Sequence, residues 1–582
     1  MFHITLPPFL IAFLIAAAFI GYAASGLILL IVRQQRSPLR RLRGPPNPSF
    51  FLGNLVAMHD QENTNLVARW EEEYGPTFVY HGFISGCRLM TTDPRAVAHI
   101  LGNAYDYPKP DFVRDSLSDM VAGQHGILTT EGEQHKRQRK ILTPAFSVAS
   151  VKAVSPIFWD KAAELRDIWL RIADDPDLVE YVDARGVADW GKGWEPKPPK
   201  VDALAWLGRA TLDVIGLAGF GYPFNSLTDD TNELALAFAT IFSSARKFRA
   251  MIVLQVWFPI LRRLRPEKGT MRQTQETIRR IGLSLIEERK ELVIAEAAGS
   301  KSPTMNGHAN GNAEKSVLGR DLLSVLIRSN MTSVENQRMN TEEILCQIST
   351  FIAAGHETTS NALSWTLYAL ATNLDVQTTL RHHIRGLDAL PPGVSLDDAI
   401  GRLPYLDWVV REALRVHAPI SATMRVCARA RDAIPVSRPF VDRDGVTRTA
   451  IDVTRHDIIS IPLQAVNKSD RLWGDDAQEF RPERWANPPD EINGVPGLWS
   501  HILTFLNGNP LNGNRACIGY KFALAEIKIF LYVLLRDIEY TIDSDLVIEK
   551  KVNVVTRPCV KSEPEVGNQM PLRMRRVHPE EP

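Results

Sequence analysis

In LNGNRACIGYKFALAEIKIFL, Leu511 to Leu531, a single cysteine in a loop of glycine, asparagine and arginine runs straight into an apolar-periodic helix. Arg515 stands two residues before Cys517 and Gly519 two after, and Phe522, Leu524, Ile527, Phe530 and Leu531 then recur at helical spacing. A thiolate at a helix start gains from free backbone N–H groups and the positive end of the macrodipole. Both lower its pKa and make it a competent soft metal ligand. A structural zinc site takes four Cys or His ligands, and no second cysteine lies near enough for a CxxC pair. One thiolate suffices where a macrocycle already supplies four nitrogens, which is the logic of haem held by a proximal cysteine. A lone cysteine is more often a small buried hydrophobe, so the rest of the chain must decide.

Three further stretches decide it: FIAAGHETTS (Phe351 to Ser360), EALR (Glu412 to Arg415) and FRPERW (Phe480 to Trp485). With the Cys517 loop, they resemble in order and spacing four motifs of the cytochrome P450 family. These are the oxygen-binding groove of the long central helix, the Glu-x-x-Arg motif, the segment completing its charge cluster, and the haem loop Phe-x-x-Gly-x-Arg-x-Cys-x-Gly. The resemblance implies a mainly α fold with a minor β lobe, haem b (iron protoporphyrin IX) as cofactor and O2 as co-substrate. It also implies electrons from NADPH through a separate NADPH-cytochrome P450 reductase, with cytochrome b5 as an optional second donor. No flavin or nicotinamide fingerprint follows a strand in this chain.

Residue by residue, the resemblance makes Cys517 the axial iron ligand. Thr358 would hydrogen-bond the activated oxygen and Glu357 would help relay protons; the plainer alternative for Thr358 is a bond to its own i−4 carbonyl. Glu412 and Arg415 share one helix face and Arg484 joins them in a structural cluster, with Trp485 as a cover. Two propionates call for cations, and guanidinium suits planar carboxylates. Arg515, Arg425 and Arg139 fit the family positions, and His135 stands where the family has Trp. Arg137 and Lys140 read as a solvated basic face, or as a landing for an acidic reductase. HETTS fails the HExxH zinc pattern because position 360 is Ser. Asn340 and Glu343 predict the start of the central helix, and Gly355 predicts an opening or a close ligand approach in its middle.

Phe9 to Val32 is an uncharged run of 24 residues, about 36 Å as a helix and enough to cross a bilayer. A cleaved signal peptide would have a shorter apolar stretch behind a positive start. Arg33, Arg36, Arg40, Arg41 and Arg43 come next, so the positive-inside bias leaves the bulk cytosolic; the resemblance makes the membrane the endoplasmic reticulum. The expected organisation is an anchor over 1–33, a basic, proline-rich hinge over 34–50 and a catalytic domain over 51–582. A mobile linker is expected at 295–315, and Gly186 to Lys200 reads as a second loop. The 67 basic and 67 acidic residues balance, so nothing points to nucleic acid. Five scattered cysteines form no disulfide framework, in keeping with a reducing compartment. The sequons at Asn330 and Asn467 are expected to stay unmodified on a cytosolic body.

The haem loop departs from the family pattern in one respect. The family's Phe should occupy position 510, which is Pro, while Phe505 lies five residues too early; deleting Asn509 to Gly513 restores the pattern. LNGN occurs twice, at 506–509 and 511–514, so the segment reads as a duplication or gene-model error that costs the aromatic beside the sulfur. Two rival functions are a haem-thiolate isomerase, dehydratase or peroxygenase, against which both Glu357 and Thr358 argue, and an inactive membrane-anchored haem-binding protein. The stretches expected to line the pocket (105–128, 220–258, Phe351, 420–423 and 556–560) are largely apolar. Terpenoid, sterol and fatty-chain substrates all fit, with a lean to terpenoid secondary metabolism on fungal resemblance.

Overall fold

The computed structural model describes residues 8–60, 63–121, 123–175, 198–245, 269–298, 319–388, 395–552 and 554–578. The linker expected at 295–315 and the loop at 186–200 lie largely outside the described residues.

The longest described helix, Thr341–Ala371, runs through the core. Its start is the predicted one: Asn340 accepts from the Glu343 N–H and Glu343 reaches back to the Asn340 N–H, so two orphan donors are satisfied reciprocally. Against it lies Ala203–Phe220, ended by Gly221 in the left-handed conformation. Ala203–Phe220 is apolar and long enough to cross a membrane. It is instead a core helix, and Thr211 Oγ1 donates to the His356 carbonyl of the central helix at 3.0 Å. Gly355 serves this packing: a Cβ there would stand 3.0 Å from Ile215 Cδ1. Helix apposition, rather than a local opening, accounts for that glycine.

The β lobe is a four-stranded sheet in the order Thr77–His81, Cys87–Thr91, Ile458–Ile461, Thr423–Val426. Only the central pair is parallel, with Leu89 opposite Ile459, and Arg425 faces Ile459 from the far strand. Smaller sheets include the 548–552/556–560 hairpin and the 497–499/502–507 hairpin ahead of the Cys517 loop. The helix Tyr520–Asp537 leaves that loop and buries Phe522, Ile527, Phe530 and Leu531 of the predicted apolar face, with Leu524 partly buried.

The N-terminal run forms one helix, Pro8–Arg36. The segment beyond Arg36 is not a free hinge. Leu39 and Leu42 are buried, Ser37 Oγ donates to Asp457 Oδ1 at 2.8 Å, and the Val79 N–H donates to the Arg43 carbonyl at 2.9 Å. Residues 37–43 therefore belong to the β lobe. The two sequon asparagines are also inside: Asn467 bridges Thr504 and the Leu503 N–H, and Asn330 bonds the backbone of Met339.

Candidate active site

Of the five cysteines, which form no disulfide, three are buried, Cys87 is partly so, and Cys517 alone is exposed. Burial nevertheless pushes the Cys517 thiol pKa up, opposed by the Gly519 N–H and the Arg139 charge. The expected lowering by the helix start is outweighed. A coordinating metal would remove the proton outright.

The five extra residues do not carry the aromatic away. The Cys517 N–H donates to the Phe505 carbonyl at 3.0 Å, and the Phe505 ring lies between Trp499 and Tyr520, at 6.0 and 6.1 Å. The insertion is stitched down elsewhere. The N–H groups of Leu511 and Asn512 both donate to the Gly102 carbonyl at 2.8 Å. The Tyr105 N–H donates to the Asn512 carbonyl at 3.1 Å, and Asn512 Nδ2 reaches Asp106 at 3.0 Å. Gly513, at φ +91°, lies over the Tyr105 ring where a side chain would collide. The Phe505 backbone thus returns to Cys517 around the insertion.

The predicted propionate residues assemble around Tyr105 and Glu131. Arg515 pairs with Glu131, donates to the Thr130 carbonyl at 2.8 Å and stacks on Tyr105, leaving Nη1 buried without a partner. Arg425 is almost wholly buried and bonds Thr423 Oγ1 and the Met424 carbonyl; its pKa falls to about 10 by burial. His135 Nδ1 meets Tyr105 Oη at 3.0 Å, and burial with Arg515, Lys109 and Arg139 nearby lowers its pKa to about 2. Burial and these cations favour its neutral form. Arg139 also reaches the loop: its Nη1 donates to the Ala516 carbonyl at 2.7 Å, so it braces the cysteine's own backbone. Sequence reasoning missed Lys109, which faces Glu131 at 3.8 Å and whose pKa burial and Arg515 push well down. Its flanking Pro108 and Pro110 carry no signal of that role.

Lys109, Arg425 and Arg515 thus crowd one carboxylate, Glu131, with a buried guanidinium nitrogen unpartnered. An excess of desolvated cations beside an accessible thiol fits a macrocycle bearing two carboxylates.

On the central helix, Ala354 is exposed and Gly355 and Thr358 are partly so, between buried flanks. Thr358 Oγ1 donates to the Ala354 carbonyl at 2.7 Å, the plainer alternative. Glu357 forms an ion pair with Arg557, a residue in a stretch read as apolar. That strand also approaches residue 419, through the Thr556 N–H to the Pro419 carbonyl at 2.8 Å. Phe146 joins the two sides of the site: its ring lies 5.2 Å from Phe351, and Gly519 backs onto it.

Glu412, Arg415 and Arg484 form the expected cluster, fully desolvated, and Trp485 Nε1 donates to Glu412 at 3.0 Å rather than merely covering it. Arg137, read as solvated, instead pairs with Glu343 and donates to the Arg338 carbonyl at 2.6 Å.

The Cytochrome P450 family model matches residues 43–559. "Cytochrome P450 monooxygenase 205" of Postia placenta is 38% identical over 572 residues, covering 97% of this chain and 98% of the relative. "Cytochrome P450 monooxygenase 128" of the same fungus is 38% identical over 567 residues, with 96% of each covered. "Cytochrome P450 monooxygenase claP" of Ampulloclitocybe clavipes is 32% identical over 567 residues, covering 95% of this chain and 96% of the relative.

Proposed function

The chain belongs to the cytochrome P450 family and is a monooxygenase that uses haem and O2 with electrons from a reductase partner; from that premise we propose that its substrate is apolar, of terpenoid, sterol or fatty-chain type. NADPH-cytochrome P450 reductase supplies the electrons, cytochrome b5 can serve as a second donor, and the setting is secondary metabolism. The helix Pro8–Arg36, about 43 Å long at 1.5 Å per residue, anchors the protein in the endoplasmic reticulum membrane with the body in the cytosol.

The carrying observation is one accessible thiol beside a buried surplus of cations. Cys517 would hold the iron, and Arg515, Arg425 and Arg139, joined by Lys109, would hold the propionates, with His135 orienting Tyr105. When bound, the haem supplies activation of dioxygen and transfer of one oxygen atom to the substrate. Thr358 holds its proton at Oγ1 against the Ala354 carbonyl; threonine in a helix divides between two χ1 rotamers, so the same donor can be turned to the cavity. Glu357 is held by Arg557, and proton relay through it requires that pair to open. The apolar walls at Phe351 and Ile420 exclude water from the substrate side.

A reduced, CO-bound spectrum tests the ligand. The parent is expected to show thiolate-bound haem and Cys517→Ser to lose it together with turnover; a thiolate spectrum in that variant would overturn the assignment. Product profiling with reductase in microsomes tests the substrate class, and turnover confined to charged, polar molecules would reject it.

A further inference from the structure

Between the end of the N-terminal helix and the β lobe lies a cavity of about 570 Å³. Ile31 and Gln34 of the helix form one wall, and His81 and Ile84 of the lobe form the other. Arg40, Arg43 and Arg443 line it, and no acidic residue does. Among the described residues none of these three arginines takes part in an ion pair. His81 Nδ1 is enclosed there without a hydrogen-bond partner, and Arg40 and Arg443 both act on that imidazole. Three exposed guanidinium groups around one hollow repel each other unless an anion joins them.

The apolar surroundings narrow what that anion is. Phe50 lines the cavity, and Phe51, Leu52 and Val56 beside it are exposed. Cationic hollow and apolar rim meet where the uncharged run 9–32 ends, which is the depth of lipid phosphates if that run crosses the bilayer. We propose that this cleft binds one anionic glycerophospholipid, its phosphate held by Arg40, Arg43 and Arg443 and its acyl chains lying along the helix end and Phe50. The choice of a lipid over a free phosphate ester rests on the reading of Pro8–Arg36 as a membrane anchor.

The test uses the full-length haem protein in neutral detergent with dihexanoyl phosphatidic acid below its micelle concentration. Saturable binding of one lipid per chain is expected, weakening as salt rises. Dihexanoyl phosphatidylcholine and glycerol 3-phosphate are expected to bind at least about tenfold more weakly. The triple variant Arg40→Gln, Arg43→Gln, Arg443→Gln should lose about 100-fold in affinity, about fivefold per arginine. A control removing the exposed Arg402, Arg431 and Lys551 should bind as the parent does. Should the triple variant misfold, Arg443→Gln alone should lose about fivefold. Unchanged binding in these variants, or equal binding of phosphatidylcholine, would overturn the cleft. Equal binding of glycerol 3-phosphate would overturn the lipid. The CO-bound spectrum of the same samples separates failure of this proposal from failure of the haem-thiolate reading, because none of the three arginines belongs to that site.

Discussion

The Glu412 carboxylate accepts from five groups at once, Arg415 Nε and Nη2, Arg484 Nε, Trp485 Nε1 and the Arg481 N–H, at 2.7 to 3.0 Å. Arg415 spends its remaining donors on the carbonyls of Asn467, Ala477 and Glu479, so the cluster pins the loops that precede the cysteine segment. Glu412→Gln would put an amide N–H against donors, strand the buried Arg415 guanidinium and leave Arg484 with Asp476 alone. A loss of about 3 to 5 kcal/mol is expected in urea unfolding, with less haem retained per chain; an unfolding midpoint equal to the parent's would refute this. His135 makes a different prediction, of pH. Its folded pKa of about 2 lies below the ordinary value of about 6.5, so between those limits the unfolded chain binds the extra proton. Stability is therefore full above pH 6.5 and falls as pH drops, by up to about 1.4 kcal/mol per unit for each such group. His356, lowered to about 4, and His417, lowered well below its ordinary value, add to the same slope. His135→Gln keeps a polar partner for Tyr105 and should flatten stability between pH 6.5 and 5; an unaltered slope would show that His135 titrates normally.

At the scale of elements, the duplicated LNGN changes meaning. Read along the chain, Asn509 to Gly513 is an interruption that deletion should repair. Folded, it supplies three backbone hydrogen bonds and one side-chain bond to the segment 102–106, which carries Tyr105 and leads to Lys109. Each bond contributes about 1 kcal/mol net, whereas shortening a surface loop regains only about 0.6 kcal/mol per halving of length. Deleting Asn509 to Gly513 is accordingly expected to lower stability by about 2 to 4 kcal/mol and to loosen haem. The check is haem loss to apomyoglobin alongside urea unfolding. Faster folding to a tighter holoprotein would restore the reading of a dispensable duplication. The central helix shows the opposite case. Its cap at Asn340 and Glu343 was legible because capping is local, while the purpose of Gly355 was not, because it answers to Ile215 on another helix.

For the whole molecule, the border between the N-terminal helix and the body is a matter of burial and not of composition. The charge-rich stretch after Val32 looks like one hinge, yet Leu39 and Leu42 are inserted in the core and Arg43 extends the edge of the sheet. Removing residues 1–36 is expected to release the protein from membranes with its thermal midpoint unchanged. Removing 1–43 should cost about 1.5 to 3 kcal/mol for each buried leucine lost; equal midpoints for the two truncations would reject the docking. By itself the sequence determined the family, the cysteine proposed as axial ligand, the charge cluster and the apolar run, because each is written in residue types at short or motif-fixed spacing. Only the tertiary structure decided the partners: Lys109 and Glu131 beside Arg515, Arg557 on Glu357, Arg139 on the cysteine's own loop, and the return of Phe505 to Cys517 around an insertion. Those pairings join positions tens to hundreds of residues apart. Which cation meets which carboxylate is settled by desolvation and packing once the chain has closed on itself, and no local pattern encodes it.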